Sequence, residues 1–393
     1  MPKYSLVVPT LNRAHLLEGT LESLAKLDHD SYEVIVSNNS SVDETEAVAK
    51  RWVETNPRFK YVRTKERLCM SDHWDFALGF VTGEYFIYVG DDDSFDRNIL
   101  KALDHYIEGD GAEGVYWRQA LYYHPSWFEE YCAGHFYILP YTGRKWVIEA
   151  EEAIRQMFNL DFPKTFPIGT SFCFKTSIVR SIIEECGLFF ARPYPDYTST
   201  MMYLPSIKRY LYVDMALSVI GKSSDSNAAA VMNGPKERLQ QFVTEHNGQV
   251  YPHVPLSYHV IFNGIAESVR AVQSLRSKEL SNYDFNWLQY FRGIYNATRI
   301  EKEILESERG RHEYWGALLK MPLKVQLRVI TYVLGVKAAL LRRSIKNGVS
   351  GNGQKPATVS GDNIYNADLC KRLLSLTECS QELSEHNLRL GYF

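Results

Sequence analysis

The chain has 393 residues, a formal net charge of −3 and 45% hydrophobic residues. That charge gives no basic field for a nucleic-acid partner, and the length suits a large α/β domain plus an appendage rather than one ordinary domain. No apolar run reaches the ~18 residues of a membrane span. The opening MPKYSLVVPT runs straight into a strand pattern and lacks the cleavage signature of a secretion signal. Cys69, Cys132, Cys173, Cys186, Cys370 and Cys379 form no C-x-x-C pair or zinc-like array. They read as reduced thiols, which predicts a cytoplasmic protein.

Tyr4–Val8 is a short apolar run ended by Pro9 and reads as a buried strand. His15–Leu27 sets Leu16, Leu17, Leu21 and Leu24 along one helical face. A second apolar run, Tyr32–Val36, stops at the polar cluster Ser37–Ser41, and a helix fits Glu44–Glu54. Phe59–Val62 predicts a third strand, Asp72–Val81 a helix ended by Gly83, and Tyr85–Val89 a fourth strand closed by Gly90-Asp91-Asp92-Asp93. Strand and helix patterns alternate, which argues for a mostly parallel sheet with helices on both faces. Such sheets bind ligands beyond the C-terminal ends of their strands. Three polar clusters follow three apolar runs here and are expected to converge on one rim.

Gly114–Tyr123 predicts another strand, and Pro125–Thr142 an irregular, aromatic-rich insertion over the site. Glu149–Asn159 reads as a helix, Ser171–Phe174 as a strand, and Thr176–Cys186 as a helix ended by Gly187. Beyond Asn227 the alternation stops and helical patterns follow at Glu237–Glu245, His259–Leu275 and Trp287–Glu308. The expected organisation is therefore a catalytic α/β domain over 1–226, a helical region over 227–347, a Gly/Ser-rich linker over 348–361 and a tail over 362–393 carrying one helix.

Three segments offer chemistry. Asp91-Asp92-Asp93 brings repelling carboxylates to a strand end, where a divalent cation would offset the repulsion; carboxylate oxygens suit Mn²⁺ or Mg²⁺, which also bind phosphate. The alternative is a solvated acidic turn. In Ser37–Thr45, Asn side chains are able to read a nucleobase edge, or to form a turn with Asp43 capping the next helix. In Pro193–Ser199, prolines on either side of Tyr194 predict a stiff loop that holds Asp196, either as a general base or as an exposed acid.

Together these segments resemble glycosyltransferase family 2, of the GT-A fold. SLVVPTLNRAHLL is similar to that family's first strand and donor loop, and EVIVSNNSSVDET to its second strand and nucleoside-contacting turn. RLCMSDHWDFALGFVTGEYFIYVGDDDSF resembles its helix, strand and DXD segment in the GDDD-type branch. FPIGTSFCFKTSIVRSI with GLFFARPYPDYTS resembles the acceptor side, ending in the catalytic aspartate. The match runs from Tyr4 to about Asn227.

The resemblance implies a nucleoside-diphosphate-sugar donor bound by Pro9, Thr10, Asn12, Arg13, Asn39, Asp43, Ser71, Asp72, Asp91 and Asp92. It also implies a divalent metal on Asp93 with Asp91, and Asp196 as the base of an inverting transfer to a glycan or lipid-linked acceptor, as in cell-surface polysaccharide synthesis. Asn38-Asn39 stands where many members have Asp-Asp, which leaves the nucleobase open; Gly90 stands where many have a first aspartate, and His73 where the branch often has Asn. A sugar nucleotidyltransferase is disfavoured because PTLNRAH lacks the expected glycine. A non-catalytic relative that binds glycans or partners would be expected to lack the acidic cluster or the base. Finally, residues 321–346 combine Lys and Arg with apolar residues at spacings of three and four and contain no acid. That is a basic amphipathic helix, which either lies on the inner membrane surface or packs on the domain with its basic face in water.

Overall fold

The computed structural model describes residues 1–226, 229, 236–300, 307–349, 369–372 and 376–389. The N-terminal half alternates β1 (Tyr4–Thr10), α1 (Ala14–Ala25), β2 (Tyr32–Asn38), α2 (Thr45–Thr55), β3 (Phe59–Arg63), α3 (Met70–Leu78) and β4 (Tyr85–Tyr88). It continues through β5 (Ser94–Phe95), α4 (Ile99–Asp110), β6 (Gly114–Tyr123), β7 (His135–Ile138), β8 (Lys145–Glu149) and α5 (Ala150–Phe158). Next come β9 (Phe172–Lys175), α6 (Thr176–Cys186), α7 (Pro195–Tyr203) and β10 (Arg209–Lys222). Helices α8 (Lys236–Glu245), α9 (Ile261–Leu275), α10 (Ser277–Leu280), α11 (Trp287–Ile300), α12 (Glu308–Leu319) and α13 (Leu323–Val349) follow, then β11 (Leu369–Arg372) and α14 (Leu376–Arg389).

The strands form one mixed sheet in the order β11-β7-β6-β9-β4-β1-β2-β3, with β10 joined to β5, β6 and β8. Strands β4, β1, β2 and β3 run parallel, as do β6 and β10, while β9 is antiparallel to both β4 and β6. Thr10 pairs with Asn38 and Val7 with Tyr88, so the chain leaves β1, β2 and β4 at one rim. The expected convergence of the polar clusters is therefore found.

Alternation along β1 feeds two cores. Leu6 and Val8 pack with Leu17, Leu21 and Leu24 of α1, whereas Val7 packs with Phe174, Met201 and the helical region. Val269 and Val272 of α9 and Phe291 and Ile294 of α11 are fully buried in that second core. At about 1.5–3 kcal/mol per large buried side chain, the helices are an integral wall of the fold. Among the described residues no helix is long and apolar enough to cross a membrane.

Several elements differ from expectation. The segment around Asp196 is the first turn of α7 rather than a loop, with Pro195 at its start; proline's fixed φ and missing N–H suit that position. The insertion 125–142 contains β7, which pairs with β6 and β11. Strand β10, a 14-residue run, was not anticipated. The expected tail helix is α14, which docks through Cys379 and Leu383 and through Asn387 Nδ2, donating to Asp96 Oδ2 at 2.6 Å and to Ala216 O at 2.9 Å. Residues 350–361 of the expected linker lie outside the described residues, and α13 continues to Val349. Cys69, Cys132, Cys173, Cys186 and Cys379 are free thiols.

Candidate active site

The rim is built by hydrogen bonds between the loops that leave β1 and β2. Asn39 N–H donates to Thr10 O at 2.9 Å, Asn12 N–H to Ser41 Oγ at 2.8 Å, and Val42 N–H to Asn12 Oδ1 at 2.8 Å. Asn12 holds a positive φ of 54°, a conformation its short amide tolerates. Asp43 joins the two following helices: Oδ2 accepts from Ala14 N at 3.0 Å, and Oδ1 from Thr45 N at 3.1 Å. These contacts satisfy orphan amides at two helix N-termini, where a carboxylate is favoured. Pro9 lies opposite Ser37 in the strand register.

Asn39 is buried and spends its amide on a neighbouring loop. Nδ2 donates to Leu68 O at 2.8 Å and Oδ1 accepts from Leu68 N at 2.9 Å. Ser71 and Asp72 likewise hold structure together. The Ser71 hydroxyl donates to Ala191 O at 3.3 Å, and Asp72 pairs with Arg192. With Asp75, which accepts from Phe189 N at 2.9 Å, they fasten α3 to the chain that leads into α7. His73 is buried as well, its Nε2 2.9 Å from Ser37 Oγ, so it ties α3 to β2.

The three consecutive aspartates do different work. Arg13 reaches from the β1 loop and donates to Asp91 Oδ1 and, at 2.5 Å, to Asp92 Oδ2. Its guanidinium also donates to Ser223, whose hydroxyl donates to Asp92 Oδ2 at 3.1 Å. Burial alone would lower the Arg13 pKa, but Asp91 and Asp92 hold it above its ordinary value. Burial raises the Asp91 pKa and Asp92 adds to the rise, against the opposing charge of Arg13. Asp91 Oδ2 and Thr10 Oγ1 are both buried without a hydrogen-bond partner among the described residues.

Asp93 turns both oxygens to the backbone: Oδ2 accepts from Gly90 N at 3.0 Å and Oδ1 from Gly221 N at 2.9 Å. Burial and the charge of Asp92 push its pKa up to about 7. Gly221 has to be glycine, because a Cβ there would sit 1.9 Å from Asp92 O.

Asp196 stands in the first turn of α7, where the helix dipole favours its ionised form. Burial nevertheless pushes its carboxyl up to about 6, against the Tyr197 backbone N–H and the Lys222 ammonium. Lys222, at the end of β10, is a minor lowering influence on both Asp93 and Asp196. A 310 Å³ cavity lies against Arg13, lined also by Asn12, Asp225, Arg238 and Gln241. A second, of 530 Å³, opens at Asp92 and is bounded by α1, Tyr122, His124 and Leu376 of α14.

The structure thus gathers Thr10, Asn12, Arg13 and Asp91–Asp93 into one cluster, while Asp196 stands in the first turn of α7. Asn39, Ser71 and Asp72 support the surrounding loops. Gly221, Lys222 and Ser223 were missed because β10 was missed; its signal was the apolar run Tyr210–Ile220 followed by GKSSDS.

Residues 5–183 match the model of Glycosyl transferase family 2. A GalNAc(5)-diNAcBac-PP-undecaprenol beta-1,3-glucosyltransferase of Campylobacter jejuni is 32% identical over 104 residues, 26% of this chain and 34% of that protein. A PGL/p-HBAD biosynthesis glycosyltransferase of Mycobacterium bovis is 26% identical over 107 residues, 27% of this chain and 42% of its own length. This chain therefore spans about a third of the first relative's length. Among solved structures, S. aureus TarS in complex with UDP-GlcNAc aligns with a TM-score of 0.46 at 16% identity, covering 85% of this chain and 92% of that one.

Proposed function

We propose that this chain transfers a glycosyl group from a nucleoside-diphosphate-sugar to an acceptor hydroxyl, with inversion. The observation that carries the reading is the rim itself, where Arg13 from the β1 loop bonds Asp91 and Asp92 at the end of β4 beside a cavity lined by Asn12 and Arg13. Asp196 takes the acceptor hydroxyl's proton as that oxygen attacks the anomeric carbon, and the bond to the diphosphate oxygen breaks on the opposite face. The electron pair leaves with the nucleoside diphosphate. A carboxyl with a pKa of about 6 is ionised at neutral pH and is a stronger base than an ordinary aspartate.

The cluster fits a divalent cation. It holds a guanidinium against Asp91 and Asp92, and Asp91 Oδ2 lacks a partner. Among the described residues no three His, Cys, Asp or Glu side chains form a metal-holding group. Two carboxylates with substrate phosphates and water are nevertheless a common Mg²⁺ set. Asp91 and Asp92 are the residues to hold the ion, and Asp93, bound to two amides, fixes their loop. When bound, Mn²⁺ or Mg²⁺ supplies charge neutralisation to the departing diphosphate. With the ion bound, Arg13 would be free to contact the donor phosphates. Asn12 and Arg13 line the adjoining cavity and are assigned to the donor. A lipid-linked glycan acceptor is favoured by the Campylobacter relative, whose name specifies a PP-undecaprenol-linked substrate. Such an acceptor would bring the protein to the inner face of the membrane.

The test is a thermal-shift screen against UDP, GDP, dTDP and CMP, each with Mn²⁺ and with EDTA, since ligand binding raises native stability. A metal-dependent shift with one diphosphate is expected and would identify the donor class. No shift with any nucleotide would overturn the donor site.

A further inference from the structure

Helix α13 has two apolar faces. One is buried: Val329 and Val333 enter the core, with Val325, Tyr332 and Val336 packed against it. The Tyr332 hydroxyl donates to Asn296 Oδ1 of α11 at 3.0 Å, and the Arg292 guanidinium lies 4.8 Å from the Tyr332 ring centre. These contacts fasten the helix to the domain. Among the described residues nothing covers the second face. Leu319, at the end of α12, is 68% exposed, and Leu323, Leu327 and Leu334 are 67%, 56% and 61% exposed.

At about 100° per residue, Leu323, Leu327 and Leu334 fall within ~40° of one another, well away from the buried valines. Exposed Lys320, Lys324, Arg328, Lys337 and Arg342 flank this leucine row. Residues 314–349 contain no acid, and among the described residues none of these five cations joins an ion pair. A contiguous exposed apolar row rimmed by charge marks an interaction site. An all-cationic flank repels a second copy of itself and matches an anionic surface.

We propose that this outer face docks on an anionic lipid bilayer, with the helix lying in the headgroup layer and its leucines in the acyl boundary. No described helix is able to cross the bilayer, so the contact is peripheral. The cations draw the face to the lipid and the leucines hold it there. The inference stands on exposure and charge, independently of the transfer reading.

The test is flotation of the full-length protein with phosphatidylcholine vesicles, with and without phosphatidylserine, at low and high salt. Binding is expected only to the phosphatidylserine vesicles, and salt is expected to weaken it. Leu323→Ser/Leu327→Ser/Leu334→Ser changes exposed positions and is expected to keep its Tm while partitioning at least about tenfold less. Lys324→Glu/Arg328→Glu is expected to lose the preference for phosphatidylserine by about the same factor. Absence of flotation, or equal flotation of the serine variant, would overturn the proposal. So would a dimer by light scattering that the serine variant abolishes, which would assign the face to a second copy.

Discussion

Asp91 and Asp196 are two carboxylates whose pKa values burial raises, and their surroundings differ. Asp91 meets a guanidinium and a neighbouring carboxylate, with one oxygen left unpartnered. Among the described residues no guanidinium bonds Asp196; it has a helix N-terminus and the charge of Lys222. Under the proposed function, the first environment would exchange the guanidinium for a metal ion. The second keeps a carboxylate ionised at neutral pH yet basic enough to accept a proton. The lesson is that residue type alone does not assign a role, because burial and the local counter-charge divide the work.

The strongest way to break that comparison is Asp196→Asn. Transfer is expected to fall by about 10²–10⁴-fold, with the donor-induced thermal shift retained. Unchanged turnover in a donor-hydrolysis or transfer assay would remove Asp196 as base. Arg13→Ala tests the other side. It leaves Asp91 buried without its counter-charge, so a stability loss of about 3 kcal/mol is expected in EDTA by chemical denaturation. Mn²⁺ should then stabilise the variant more than the wild type, because the guanidinium no longer competes for Asp91 and Asp92. An equal or smaller Mn²⁺ shift would count against exchange of the two cations.

Gly221→Ala is expected to cost about 1–3 kcal/mol and to weaken metal-dependent donor binding, since the added Cβ would meet the Asp92 backbone. Calorimetry with and without donor reads both effects. The pH profile sharpens the assignment of the base. The carboxyl of Asp196 is protonated below about 6, so kcat/KM should fall about tenfold per unit below that value and level off above it. The groups facing it are Tyr194, Tyr197 and Lys222; both tyrosines are held above their ordinary values and stay neutral over that range. A flat profile from pH 5 to 7 would contradict a base of this kind. The smallest effect is expected from Asp72→Asn. It breaks an exposed pair with Arg192, so stability should change by less than about 1 kcal/mol. A large loss of donor affinity there would restore Asp72 to the donor site.

Much of the fold was legible because its signals are local. The run Tyr4–Val8 and the leucine spacing of α1 need no partner to be read, and Gly187, at φ 80°, ends α6 where a left-handed residue is required. Convergence of the three polar clusters followed from parallel strands alone. The sequence by itself determined the α/β class, the family resemblance and the chemical types at the rim.

Tertiary structure decided what each side chain does there. Asn39 reads as a base-contacting amide, but Leu68, 29 positions later, takes both ends of it. Asp93 reads as the metal ligand, yet the amides of Gly90 and Gly221 take its oxygens, and Gly221 is 128 positions away. Lys222 and Ser223 reach the site only because β10 lies alongside β6. The two faces of α13 were inseparable in sequence, where leucine and valine are equally apolar, until packing against α11 covered one and left the other in water. Period and composition are properties of neighbouring residues, whereas counter-charge, burial and hydrogen-bond partners come from segments that meet only when the chain folds.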